Sequence, residues 1–392
     1  MKRIRICSGR VFDPASGEFT ERDVLVEDGL ITHLSQPSGC PQTGEAAPGG
    51  EVSSTEQVID ATGCIVAPGF IDLHTHVFSH SLFAHGRLAA DRIGTGQGVA
   101  CVVDAGSSGV ATIDAFPENV LATQATRVFA FINIGSPGLP NLGGGHASRP
   151  ELCDLAGTVE AFERHDWLVG VKVLASRSHT GMFGLEAVKL ARKAADLVGK
   201  PLMLHVGNAP PLIDDVLDLL REGDIVTHTY HGKIGGVLGY RNKVIPAFRE
   251  AVARGVIVDL GHGRSSFSFR VCEMALEQGM PVHTISTDLH RGNIDRYAIS
   301  LARTISKIRM LGVDLATALR AVTSTPAAAI GICSAGFGGL EVGRCAYITI
   351  FNELNEAYEV EDAEGDIRKA SSRIETVGVL VGETYHPRTE AL

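Results

Sequence analysis

The sequence predicts an α/β fold, a (β/α)8 TIM barrel with a small β-sandwich domain built from both termini. Two observations carry this. Short apolar runs dense in Val, Ile and Leu alternate with amphipathic helical stretches through the middle of the chain. Strand-like segments bounded by Gly and Asp turns occupy both ends. The length, 392 residues, exceeds the ~250 that a barrel takes and leaves room for a second module. The small domain is placed at residues 1–62 and 335–392, and the barrel at 63–334.

In chain order, the first strands are expected at Arg3–Cys7, Asp23–Glu27 and Leu30–Leu34. Ser38–Glu56, rich in Gly, Pro, Ser and Glu, reads as an exposed loop. The barrel runs are Ile65–Leu73, Val99–Asp104, Val128–Ile134, Leu168–Leu174, Pro201–His205, Ile225–His228, Val256–Leu260 and Val282–Ser286. They lack polar alternation, so both faces should be buried, as in a parallel sheet. Helices are expected between them, for example at Gly184–Val198 and Pro211–Arg221. Eight such units suit a closed barrel; an open doubly wound sheet is the competing topology. Further helices are read at Asp295–Leu311 and Asp314–Ala321, and closing strands at Gly339–Phe351 and Thr376–Val381.

Composition narrows the function. Hydrophobic residues make up 44 %, enough for a large core, and the net charge of −10 argues against nucleic acid, whose phosphates need a basic surface. The opening MKRIRICSGRVFDP lacks the apolar run of an export signal, and no stretch is long and apolar enough to cross a bilayer. Eight scattered cysteines, none in a CxxC pair, fit buried thiols in a reducing cytoplasm. The expected partner is a small-molecule substrate, with neither nucleic acid nor membrane; the subunit count, a homo-oligomer included, stays open.

Ligand-type residues gather at strand ends. The first barrel run closes in His74-Thr-His76. Residues i and i+2 of a strand share a face, so both imidazoles project to one point at the end where barrel enzymes place their sites. Two such His suit a borderline-soft divalent ion such as zinc. The fourth run carries Lys172 inside apolar sequence. Taken alone it is as readily a snorkelling lysine, but burial can depress its pKa and let the amine add CO2 to form a carbamate. The fifth and sixth runs end in His205 and His228, each by itself more often a hydrogen-bonded imidazole. The eighth run leads to Asp288, a helix cap or a metal ligand able to take up a proton. Five strands ending in ligand-type residues are not a chance pattern. Arg177 lies in the loop after the Lys172 strand, as a carboxylate binder or a structural ion pair. His80, His85, His179, His231, His262 and His290 fall near the same loops, and His262 reads as the one closest to substrate. Asp104, Asp259 and Arg264 can orient ligands or form salt bridges. Gly135–Pro150 lacks the Lys-Ser/Thr of a phosphate cradle and reads as a lid or a surface loop.

The order HxH, Lys, His, His, Asp, carried by PGFIDLHTH, GVKVLASR, PLMLHVGNAPP, GDIVTHTYHGK, VDLGHGRSSFSF and HTISTD, resembles the amidohydrolase superfamily. Within it, the chain looks most like the dihydroorotase-like bacterial deacetylases that act on acetylated hydroxy acids. The resemblance implies two divalent metal ions, with His74 and His76 on the more buried one and His205 and His228 on the other. It implies Lys172 as a bridging N6-carboxylysine, Asp288 as ligand and proton carrier, and Arg177 at a substrate oxygen. The implied reaction is cleavage of an ester or amide of a small acylated hydroxy or amino acid by attack of a metal-bridging hydroxide. The alternative is a cyclic amidase of dihydroorotase or hydantoinase type. Three positions depart from the pattern: Phe78 where dihydroorotases carry Arg, Tyr347 where the superfamily often has Asp, and His231 where relatives have Asn.

Overall fold

The computed structural model describes residues 2–40, 56–78, 88–139 and 145–389. Strands from both termini merge into one eight-stranded sheet. Arg3–Phe12 pairs antiparallel with Phe19–Glu27 and parallel with Glu56–Asp60 and Ile65–Pro68. Ile65–Pro68 in turn pairs antiparallel with Tyr347–Leu354, which joins the N-terminal strands to the C-terminal ones. Apolar residues on alternate positions, among them Ile4, Ile6, Val24, Val26, Ile348 and Ile350, form a core of their own. Most of the loop read at Ser38–Glu56 lies outside the described residues.

The run Ile65–Leu73 is therefore two strands. Ile65–Pro68 belongs to the terminal sheet, and Ile71–Thr75 opens the barrel. The chain changes layers at Gly69, where a Cβ would lie 2.6 Å from the Ala100 Cβ and 3.0 Å from the Tyr347 Cβ. Continuous hydrophobicity hides this switch, because both layers bury their strands. Tyr347 stacks on Phe337, with centroids 3.9 Å apart and rings at 5°. An aromatic contact thus occupies the place where Asp was the expected residue.

The barrel strands are Ile71–Thr75, Cys101–Gly109, Arg127–Asn133, Leu168–Ala175, Leu202–Val206, Ile225–Thr227 and Ile257–Val258, parallel neighbours in chain order. The eighth run, Val282–Ser286, does not form a regular strand. It closes the ring through isolated parallel bridges, Asp259 to Thr284 on one side and Thr75 to Leu289 on the other. Asp72 reinforces the seam by accepting from the Thr287 backbone N–H at 3.0 Å and its hydroxyl at 2.5 Å.

Helices surround the ring, including Leu155–Arg164, Leu185–Val198, Pro246–Ala253, Phe269–Glu277 and Leu301–Met310. The stretch read as one helix from Asp295 becomes regular only at Leu301. Tyr297 and Ile299 adopt positive φ, and Ser300 caps the helix by accepting from the Arg303 N–H. A hairpin, Tyr358–Glu361 with Ile367–Ala370, went unread in the sequence. It packs against the barrel, where Asp362 accepts from the Phe269 N–H at 2.8 Å.

Candidate metal centre and active site

His74, His76, Lys172, His205, His228 and Asp288 line one cavity of about 330 Å³ at the C-terminal end of the barrel strands. Strands carry His74, Lys172 and His205, and His76 and His228 follow one residue after their strands end. His228 and Asp288 also carry φ of 66° and 51°, a left-handed conformation uncommon for non-glycine residues. Each is held there by hydrogen bonds. His228 Nδ1 lies 2.6 Å from the Gly261 carbonyl oxygen, and the Asp288 N–H donates to the His74 carbonyl at 2.7 Å.

The supporting residues settle which ring nitrogen of each His is free. The Thr227 hydroxyl donates to Asp259 at 2.6 Å, so it accepts from His74 Nδ1–H at 2.8 Å. The Ser107 hydroxyl donates to Asp104 at 2.8 Å and accepts from His76 Nδ1–H at 2.8 Å. A carbonyl oxygen accepts only, so His228 Nδ1 also carries its proton. All three Nε2 atoms are thereby left with lone pairs for the cavity. His76 Nε2 sits 3.0 Å from an Asp288 oxygen, His74 Nε2 3.5 Å from the same oxygen, and His228 Nε2 4.0 Å from the other. This is how metal-binding imidazoles are oriented, with the far nitrogen engaged by an outer partner.

Protonation states agree. Burial holds the imidazoles of His74, His205 and His228 below their usual range, His228 at about 3, so they are neutral ligands. Burial raises the Asp288 carboxyl, but positive charge shared among His74, His228 and His76 outweighs that and holds it well below its usual range. Burial brings the Lys172 amine down to about 7 against the pull of Asp288, Asp259 and Asp104. Ligand atoms of His74, His76 and Asp288 lie within 4.8 Å of one another, a donor set that fits a divalent ion.

Gly106 backs Lys172. It has φ of +82°, and a Cβ there would lie 2.7 Å from the Lys172 Cβ. Gly106→Ala should therefore displace Lys172 and cost ~1–3 kcal/mol through strain and overpacking. Gly63→Ala is the control, since Gly63 has φ of +77° and open space around it. Loss of bound metal is expected in the first variant and full metal content in the second. Equal metal content in both would detach Gly106 from the site.

Other expected residues fall differently. Arg177 is exposed and starts the short helix Arg177–Thr180, outside the cavity lining; Lys233 and Arg264 line the cavity instead. His262, read as a substrate contact, is fully buried away from the cavity. Its Nδ1 is 2.9 Å from the Gly263 carbonyl oxygen and its Nε2 2.8 Å from Lys307 Nζ. The Gly261 and Gly263 turns swing its neighbours, not its own ring, toward the opening. His179 and His290 line the cavity, whereas His231 is buried with Nδ1 accepting from the Lys233 N–H at 3.1 Å. His80 and His85 lie outside the described residues, as do residues 140–144 of the loop Gly135–Pro150. Leu139 from that loop lines the cavity. Phe78 is buried and stacks on Phe116 at 5.2 Å. Sequence reasoning misses Lys233, Asn208, Ser176 and Ser178, which also line the cavity; Ser178 lies in the short helix Arg177–Thr180 and the others in loops, and none carries a spacing signal.

Comparison with known proteins places this geometry. Residues 57–128 match the model of the amidohydrolase family. A deacetylase of Agrobacterium fabrum is 34 % identical over 352 residues, covering 86 % of this chain and 84 % of that protein. A deacetylase of Brucella anthropi is 32 % identical, covering 94 % and 90 %. The chain belongs to the amidohydrolase family. Its shape agrees, since the crystal structure of a dihydroorotase superposes with a TM-score of 0.88 at 30 % identity over 99 % of this chain and 98 % of that one. This amidohydrolase is accordingly a hydrolytic enzyme on a TIM barrel with a metal site. Among its described residues no helix is long and apolar enough to cross a membrane.

Proposed function

We propose that this amidohydrolase is a binuclear deacetylase, cleaving the ester or amide bond of a small acylated hydroxy or amino acid in the cytoplasm. One observation carries the reading. Three imidazole Nε2 atoms, Lys172 and the Asp288 carboxylate converge in a cavity that Lys233 and Arg264 also line. The deacetylase relatives span most of the chain and support the same reaction class.

His74, His76, His205, His228, Asp288 and a carbamate on Lys172 would hold two divalent ions, zinc by donor type. When bound, such ions lower the pKa of water and polarise an acyl carbonyl. The chain does the rest. Asp288, ionised, takes the proton of the attacking water and returns it to the leaving oxygen or nitrogen. Lys233 and Arg264, which line the cavity where Arg177 does not, would face an anionic substrate group.

A screen of acetylated hydroxy-acid and amino-acid enantiomers on zinc-loaded protein tests this reading. Turnover of at least one enantiomer is expected, and none across the panel would remove the deacetylase assignment. A cyclic amidase is the second reading, favoured by the dihydroorotase structure. Against it, Phe78 is packed on Phe116 and offers no cation to a carboxylate. Dihydroorotate should therefore show no turnover; an ordinary enzymatic rate of ~1–10³ s⁻¹ would reverse the order of the two readings.

A further inference from the structure

His146 and His179 form a pair that the metal centre does not use. His179 Nδ1 lies 2.6 Å from His146 Nε2, and the rings meet edge to edge, with centroids 4.7 Å apart and planes 27° apart. The pairing is built into the backbone. The Gly145 N–H donates to the Ser178 carbonyl at 2.8 Å, and the Ala147 N–H donates to the His179 carbonyl at 3.3 Å. The loop after the third barrel strand is thereby stitched to the helix after the fourth. His146 is buried, while His179 lines the cavity, its ring edge-on to His205 with centroids 5.5 Å apart.

Two imidazole nitrogens at this separation need one proton between them, since two lone pairs or two N–H groups would repel. The direction follows from what the cavity receives. Carbonyl and carboxylate oxygens only accept, so a useful His179 must present its other nitrogen, Nε2, as N–H. Its Nδ1 is then the acceptor, and His146 Nε2–H the donor. We propose that His179 donates a hydrogen bond from Nε2 to the acyl oxygen of the substrate, and that His146 is the positioning residue that fixes its tautomer and ring plane. The role rests on the hydrolase reading above. It adds to that reading a donor supplied by the chain itself, aimed where negative charge develops on the acyl oxygen.

The experiment uses the zinc-loaded full chain with three variants, His179→Phe, His146→Phe and His146→Gln. Phe keeps a planar ring in the same place and removes the hydrogen bond; Gln retains an N–H donor. Proton NMR on histidine-labelled protein should show a deshielded imidazole N–H in the wild type that is absent from both Phe variants. In the deacetylase assay both Phe variants should lose ~10²-fold in kcat, the scale of one removed donor, with KM and metal stoichiometry nearly unchanged. His146→Gln should recover most of that loss, a rescue that a purely structural role does not predict. Acetate affinity, measured by titration calorimetry, should weaken several-fold in His179→Phe, and this readout needs no turnover. If the wild type hydrolyses no acylated acid while acetate binding still depends on His179, the substrate assignment fails and the donor role stands. Loss of the N–H signal with kcat and acetate affinity unchanged would overturn the proposal.

Discussion

Lys172→Ala is expected to empty the metal site. Lys172 is 1 % exposed, and its Nζ lies 3.4 Å from His74 Nε2, in the middle of the ligand cluster. A protonated lysine there would hold a cation against the very ions the imidazoles are oriented to receive. Burial brings its amine to about 7, so near neutral pH a large fraction is the free base that adds CO2. The adduct exchanges one positive charge for one negative and offers two oxygens to two cations. Alanine has neither. Metal content should fall to a small fraction of the wild-type value. Activity should fall by more than the ~10–100-fold that losing an outer partner of a ligand costs. Short carboxylic acids, small enough for the vacated space, should restore part of both. Metal analysis and the deacetylase assay on one preparation decide the matter, with circular dichroism to confirm folding. Full metal and full activity would make Lys172 an ordinary buried amine.

The barrel was legible because parallel strands bury both faces, and that writes itself as unbroken Val/Ile/Leu runs. The same property concealed the layer change at Gly69, where the reason for glycine is an approach of Ala100 and Tyr347 from distant parts of the chain. The eighth run reads like the others, yet two isolated bridges and Asp72 take the place of a regular ladder. The ligand-type residues at strand ends were legible since alternation fixes the face on which a strand side chain points. Loop residues have no such rule. Arg177 and Arg264 are both arginines in βα loops, and only the start of a helix at Arg177 and the Gly261–Gly263 turns send one outside the cavity and the other into its lining. His262 looked like a substrate contact for want of its partner, since Lys307 lies 45 residues away on another element. His146 gave no signal, because its significance is a contact with His179 made across two loops.

Asp288→Asn separates ligation from proton transfer. The residue sits at φ of 51°, a conformation that Asn tolerates as readily as Asp, so the backbone cost of the change is small. Its N–H bond to the His74 carbonyl at 2.7 Å and the Asn293 amide donating to its carbonyl at 2.9 Å do not involve the side chain. One carboxylate oxygen faces His76 and His74, at 3.0 and 3.5 Å from their Nε2 atoms, and an amide oxygen can occupy the same place. The second oxygen, 4.0 Å from His228 Nε2, is the one that becomes an amide nitrogen. An amide cannot hold the proton of the attacking water or pass it to the leaving group. Metal stoichiometry should therefore change little, while kcat falls by ~10²–10⁴, the usual contribution of a positioned acid–base group. A pH profile alone decides less, because the carboxylate and the water it deprotonates titrate as a coupled set. The measurement is kcat beside metal content on the same sample. Near-wild-type kcat with metal retained would confine Asp288 to holding the ion, and the proton would have to leave by another group lining the cavity, of which His179, His290 and Lys233 are the titratable ones not assigned to the metals.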